Sequence, residues 1–199
     1  MTVNMVLEHL FIVFVSVLLT IAVGVPLGVC AYFYKGVRKV ILTVVEILQT
    51  IPALALLGII MVFLGAGKVT VISGLVLYSL LPVVQNTYLG LSEVDPAIKE
   101  VATGMGMTRM YRLVNVEFPI AFPLIFTGIR IATVTAVGIA VFATFVGGGG
   151  LGSVVYRGIH IQDMSLILSS TAALMAMAIG FDLIMAAIEK QLKKRFSAN

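Results

Sequence analysis

With 199 residues, of which 60% are apolar and 11% charged, the chain departs strongly from soluble domains, which average about 45–50% and about 25%. So much apolar surface cannot be buried in a water-soluble fold of this length, so the chain reads as one helical membrane unit over residues 1–199. The formal charge of +4 matters more for its placement than its size and implies no nucleic-acid partner, while the lone Cys30 can form neither an internal disulfide nor a metal cluster.

The first nine residues lack a positive segment and carry Glu8, so they do not read as a cleaved signal peptide. Apolar runs at residues 10–34, 40–64, 69–90, 121–146 and 164–188 each reach the ~20 residues that a membrane-crossing helix needs. In hydrocarbon the backbone must satisfy itself, which makes these runs helices. A barrel would show alternating segments of about ten residues. The expected fold is therefore an all-α integral membrane protein with five spans.

In the second run, Pro52 follows Gln49-Thr50-Ile51 and should kink or break the helix by removing a hydrogen bond. Gln49 and Thr50 then lie beside irregular backbone, which is tolerated at that depth where it is buried or lines a wet cavity. Pro82, Gln85 and Asn86 repeat the theme in the third run. Gln49, Thr50, Pro52, Gln85 and Asn86 are candidates for a translocation path. The competing reading is helix–helix packing, in which such side chains also serve. Thr133 and Thr135 fit that reading equally well.

Between the third and fourth runs lies a polar segment, residues 95–119. Asp95-Pro96 is a helix start, with Asp as N-cap and Pro in the first turn. A short helix should follow to about Thr103. Gly104 and Gly106 permit a turn, and Thr108 can cap a second short helix that Pro119 helps to end. The expectation is a helix–turn–helix on the membrane surface. Val101, Met105 and Met107 offer apolar contacts, with Met suited to a groove that changes shape. Glu100, Arg109 and Arg112 can set register by charge.

Glu46, Arg130 and Asp182 are ionisable residues inside runs. Their similar depth suggests that Arg130 pairs with Asp182, with Glu46, or with both, Asp182 being preferred. The pair could form an inner gate or simply hold the bundle, since intramembrane charges are often functional but pairing alone suffices. The glycine run 147–150 opens the next loop and reads as flexible, with an outer mouth that rearranges against a docked partner as the other reading. His9 and His160 are isolated, so they read as interfacial side chains, and no metal site is expected.

Lys35, Arg38, Lys39, Lys99, Arg109, Arg112 and the basic residues 190–195 fall on one side of the five runs, whereas Lys68 and Arg157 fall on the other. Positive residues favour the cytoplasm, so the N-terminus should be outside, with the C-terminus and the 95–119 loop inside. No Gly-x4-Gly-Lys-Ser/Thr phosphate loop is present, so the chain should be no enzyme of its own.

Glu100-Val101-Ala102, Gly106 and Val116-Glu117-Phe118-Pro119 resemble the cytoplasmic loop of ABC importer permeases: Glu-Ala-Ala, a Gly four positions on, then Ile-x-Leu-Pro. The resemblance implies coupling to an ATPase through Glu100, Val101, Ala102, Met105, Gly106, Met107, Arg109 and Pro119. Gln49-Thr50-Ile51-Pro52-Ala53-Leu54-Ala55-Leu56-Leu57-Gly58, Leu81-Pro82-Val83-Val84-Gln85-Asn86-Thr87-Tyr88 and Gly104-Met105-Gly106-Met107 look like the osmoprotectant branch, permeases for glycine betaine, carnitine, choline or similar compounds. That branch implies a bacterial plasma- or inner-membrane subunit surrounded by lipid. Its implied partners are a cytoplasmic ABC ATPase dimer that binds the ATP, a second permease, identical or paralogous, and an extracellular substrate-binding protein. The receptor should be separate, because this sequence stops at Asn199. No cofactor is implied for the chain itself. A methionine- or amino-acid-type ABC permease is the nearest alternative. An ion-coupled secondary transporter would predict internal repeats and a carboxylate near the midplane.

Overall fold

The computed structural model describes residues 3–197, with the backbone alone at 193 and 195–197. It is entirely helical among these residues. α1 (Val3–Phe33) leads by a sharp turn into α2 (Lys35–Thr50) and α3 (Ala53–Leu64). α4 (Lys68–Ser92) returns, and α5 (Pro96–Gly104) and α6 (Arg109–Arg112) form the next connection. A π-helical turn (Leu113–Glu117) joins α6 to α7 (Phe118–Ile139), which tightens into a 3₁₀ segment (Ala140–Val146). α8 (Gly152–His160) and α9 (Met164–Ser197) complete the chain.

Four helical stretches are each long and apolar enough to cross a membrane, and the bent pair α2–α3 supplies a fifth crossing if taken as one span. The two helices meet at 102°, with Ile51 and Pro52 outside either helix. The break falls at Pro52, whose ring excludes the preceding turn. Together the pair tracks the length of α4: Val45 packs with Leu80 and Val84, and Leu57 with Val71 and Leu75.

α4 is the central helix, packed against α1, α2, α3 and α7. Its approach to α1 and α7 depends on missing side chains. A Cβ on Gly28 would stand 2.8 Å from the Val84 carbonyl oxygen, and one on Gly128 would collide with the Pro82 carbonyl and Asn86. Small residues at such crossings let backbones meet and gain dispersion contact where lipid supplies no hydrophobic drive. Ile12, Val13, Val71, Leu75, Ala136 and Val137 fill one end of the core. Val83, Leu91, Leu113, Ala121 and Ile125 fill the other.

The end away from α5 is braced rather than loose. Gly147, Gly149 and Gly150 have φ of 74°, 76° and 80°, which folds the glycine run back onto α1. The Gly150 N–H donates to Glu8 Oε2 at 2.9 Å, and Glu8 pairs with Lys68 at 2.7 Å. His9, expected at an interface, is instead fully buried with its Nε2 3.2 Å from the Val137 carbonyl oxygen. The expectation of a flexible loop is corrected likewise: these glycines allow close approach.

Candidate functional site

The 95–119 connection is built by local capping and then tied down. Asp95 Oδ1 accepts from the Ala97 N–H at 2.8 Å, with Pro96 in the first turn of α5, which satisfies donors the helix start leaves free. The chain reverses at Gly106, φ 82°, and the Thr108 hydroxyl accepts from the Tyr111 N–H at 3.4 Å. The expected second surface helix is only the four residues of α6. It does not end at Pro119 but runs on through the π-turn, with Pro119 in the first turn of α7. A π-turn bonds to the fifth residue back, and a proline N–H is not required where the ladder is already shifted.

Two cations anchor the connection to the bundle, and a third ties it to itself. Lys99 donates to the Leu91 carbonyl at 2.9 Å and lies over the Tyr32 ring. Arg109 donates to the Phe33 carbonyl at 3.3 Å, with its guanidinium 4.5 Å from the Phe33 ring centroid. Both occupy the carbonyl ends of spanning helices, where positive charge is favoured. Arg112 donates to Glu117 Oε1 at 2.5 Å and to the Thr103 hydroxyl at 2.6 Å. The Glu117 side chain is 1% exposed, so this pair is inside the protein.

What remains outward is mostly apolar. Val101 and Met105 are exposed, and an open hollow of about 350 Å³ is bordered by Ile98, Val101, Ala102, Met105, Met107 and Val116. Glu100 is exposed as well. Of the three charges expected to set register, Arg109 and Arg112 are thus engaged within the chain, leaving Glu100 outward. The surface is a stiff platform with a greasy recess.

A second polar cluster joins α7 to α9. Arg130 meets Asp182 in a two-pronged contact, Nε to Oδ1 at 2.7 Å and Nη2 to Oδ2 at 2.9 Å, the fork geometry that suits guanidinium to carboxylate. Its Nη1 donates to Glu189 Oε2 at 3.0 Å, and the Thr127 hydroxyl donates to Glu189 Oε1 at 2.9 Å. Glu46 is not in this cluster: α2 packs on α1 and α4, and Glu46 is exposed there, so its grouping with Arg130 is corrected. Glu189 takes that place. It lies seven residues beyond Asp182, two turns along the same face of α9. That spacing was visible in the sequence, but hydropathy ended the run at residue 188.

The five path candidates divide. Asn86 donates to the Pro82 carbonyl at 2.7 Å and packs against Gly128, so it lies in the α4–α7 contact, as the packing reading has it. Thr50 is exposed and returns its hydroxyl to the Ile47 carbonyl at 2.7 Å. Gln49 is half-buried at the elbow beside Pro52, and Gln85 is exposed. No described hydrogen bond joins the α2 pair to the α4 pair. Among the described residues no group of three or more His, Cys, Asp or Glu could hold a metal ion.

The family of binding-protein-dependent transport system inner membrane components matches residues 20–198. The chain belongs to that family. It is a permease subunit of an ABC importer, a translocation component and not an enzyme. The permease is 40% identical to the choline transport system permease protein OpuBD of Bacillus subtilis (strain 168), over 96% of this chain and 87% of the relative. It is 40% identical to the glycine betaine/carnitine/choline transport system permease protein OpuCD of the same organism, over 93% and 81%. Among solved structures, a chain of the MetNI methionine ABC transporter in an inward-facing conformation superposes with a TM-score of 0.87 at 23% identity, covering 96% of the permease and 95% of that chain.

Proposed function

We propose that this permease carries compatible solutes of the quaternary-ammonium class, such as glycine betaine, carnitine or choline. The observation behind it is the 40% identity over 96% of the chain to a choline permease, against 23% to the methionine transporter subunit. The platform of α5 and α6 docks on a cytoplasmic ATPase, which binds and hydrolyses the ATP. Val101, Met105 and Met107 fill its groove, Glu100 sets register, and Gly106 holds the turn. Two such platforms serve an ATPase dimer, so a second permease, identical or paralogous, completes the membrane part, and an extracellular binding protein delivers solute.

The α5 end is cytoplasmic and the glycine end external. Lys35, Arg38, Lys39, Lys99, Arg109 and Arg112 lie at the α5 end, as the bias of basic residues toward the cytoplasm predicts. Cysteines at Gly104 and Gln162 in a Cys30→Ala background should label from opposite sides; labelling from one side removes this orientation.

The deciding experiment is uptake of labelled glycine betaine, carnitine and choline by cells expressing the permease with its ATPase and binding protein. Transport of at least one, abolished without the permease, is expected. Transport of methionine or another amino acid in place of all three would return the alternative reading.

A further inference from the structure

A hollow with mainly apolar walls and a few polar groups opens between α7 and α9. It measures about 300 Å³ and is lined by Thr127, Arg130, Ile131, Val134, Thr135 and Asp182. Arg130 and Asp182 keep 30% and 41% of their side chains exposed, whereas the Arg112–Glu117 pair keeps 18% and 1%.

The depth of this hollow follows from the helix crossings. Gly128, two residues before Arg130, packs against Pro82, which stands about 21 Å along α4 from Lys68 and about 15 Å from Ser92 at 1.5 Å per residue. Exposed charge at such a level does not face acyl chains; it faces protein or water. Thr135 makes no hydrogen bond to another described side chain, and Ile131 is 47% exposed. The hollow thus combines an accessible carboxylate, a free hydroxyl and aliphatic wall. Arg130 gives two donors to Asp182 and one to the buried Glu189, so a single guanidinium serves two carboxylates, of which Asp182 is the more exposed.

We propose that this hollow is a station on the translocation path for a small solute with a fixed positive charge, with Asp182 as counter-charge and Ile131 and Val134 against the solute's alkyl groups. The station rests on the permease reading given above and adds to it the residues that meet the solute inside the membrane. It differs from the path expected at Gln49, Thr50 and Gln85, which lie on α2 and α4.

The test uses the assembled transporter in nanodiscs, with Thr135→Cys in a Cys30→Ala background. Two thiol reagents of similar size are compared: a trimethylammonium-ethyl and a sulfonato-ethyl methanethiosulfonate, each corrected for its rate with a free thiol. The cationic reagent should react several-fold faster, glycine betaine or choline at saturation should slow it, and Asp182→Asn should erase the preference while Asp182→Glu retains it. Equal corrected rates, unchanged by Asp182→Asn, would overturn the counter-charge. Silence at Thr135→Cys while a cysteine at the exposed Gly104 reacts would overturn the open hollow and make this face a permease–permease contact. The uptake panel is read separately. A transporter that takes up betaine yet shows no charge preference loses the station and keeps its function. A preference that depends on Asp182 supports the station whichever solute the panel identifies.

Discussion

Two arginine–carboxylate clusters sit on the same helical stretch and are built to opposite ends. Arg112 and Glu117 are five residues apart, bridged across the π-turn, closed over by Thr103 and almost shielded from solvent. Arg130 and Asp182 come from different helices and remain half-open on a hollow. A closed pair gives shape, because removing either member leaves a charge with no water to turn to. An open pair keeps capacity for a further partner. The contrast separates a group that holds the 95–119 connection in shape from one that stays open to a further partner.

The sharpest way to break this contrast is at the closed pair. Arg112→Ala strands Glu117 and should cost about 3–5 kcal/mol, the range for an uncompensated buried charge. Adding Glu117→Gln should recover much of it. Thermal unfolding of the purified permease measures both, and simple additivity would show that the pair is not closed in the membrane.

Arg130→Ala should produce a smaller fall in unfolding temperature than Arg112→Ala, because water can reach what is left, but a larger fall in solute uptake. Combination with Asp182→Asn should be less damaging to stability than the two single effects summed, whereas combination with Glu46→Gln should be additive. A non-additive Glu46 would put α2 back against α7.

Gly106→Val forces a β-branched residue into a left-handed conformation, a strain of about 1–2 kcal/mol confined to the exposed turn. Insertion and assembly should persist while solute-stimulated ATP hydrolysis falls away from transport. Normal stimulation together with normal uptake would remove Gly106 from the coupling platform. The smallest effect belongs to Glu46→Gln, expected within about 0.5 kcal/mol as a surface change, with uptake unaltered.

The features legible in advance were those encoded locally. Asp95-Pro96, Thr108 and Gly106 each specify a cap or a turn through their own side chain or lack of one, and Pro52 breaks the second run without reference to any neighbour. Apolar length set the class and four of the expected crossings, the fifth being the bent pair α2–α3 if it is taken as one span. Less legible was whatever depends on which helix faces which. Glu46 and Arg130 share a depth, but α2 lies against α1 and α4 while Arg130 turns toward α9. Glu189 was hidden because hydropathy falls before the helix ends: α9 continues past residue 188. Pro119 looked like a stop because a π-turn is set by tertiary packing, and the glycine run looked slack because its closeness to Glu8 and His9 spans the length of the chain. The basic residues 193 and 195, part of the charge bias, have side chains outside the described set.

One consequence follows from the way α6 enters the membrane. From Arg109 to Val146 the backbone is helical without interruption, so the α6 surface and the ion-bearing segment are two stations on a single rod. Arg112 and Arg130 are separated by eighteen residues, about 27 Å of helix. Tilting the foot of such a rod swings its upper part, and twisting the foot changes the bearing of every side chain above it. A small torque applied by a partner at α6 would arrive at Arg130 as a change of aim, with Gly128 against Pro82 as the fulcrum.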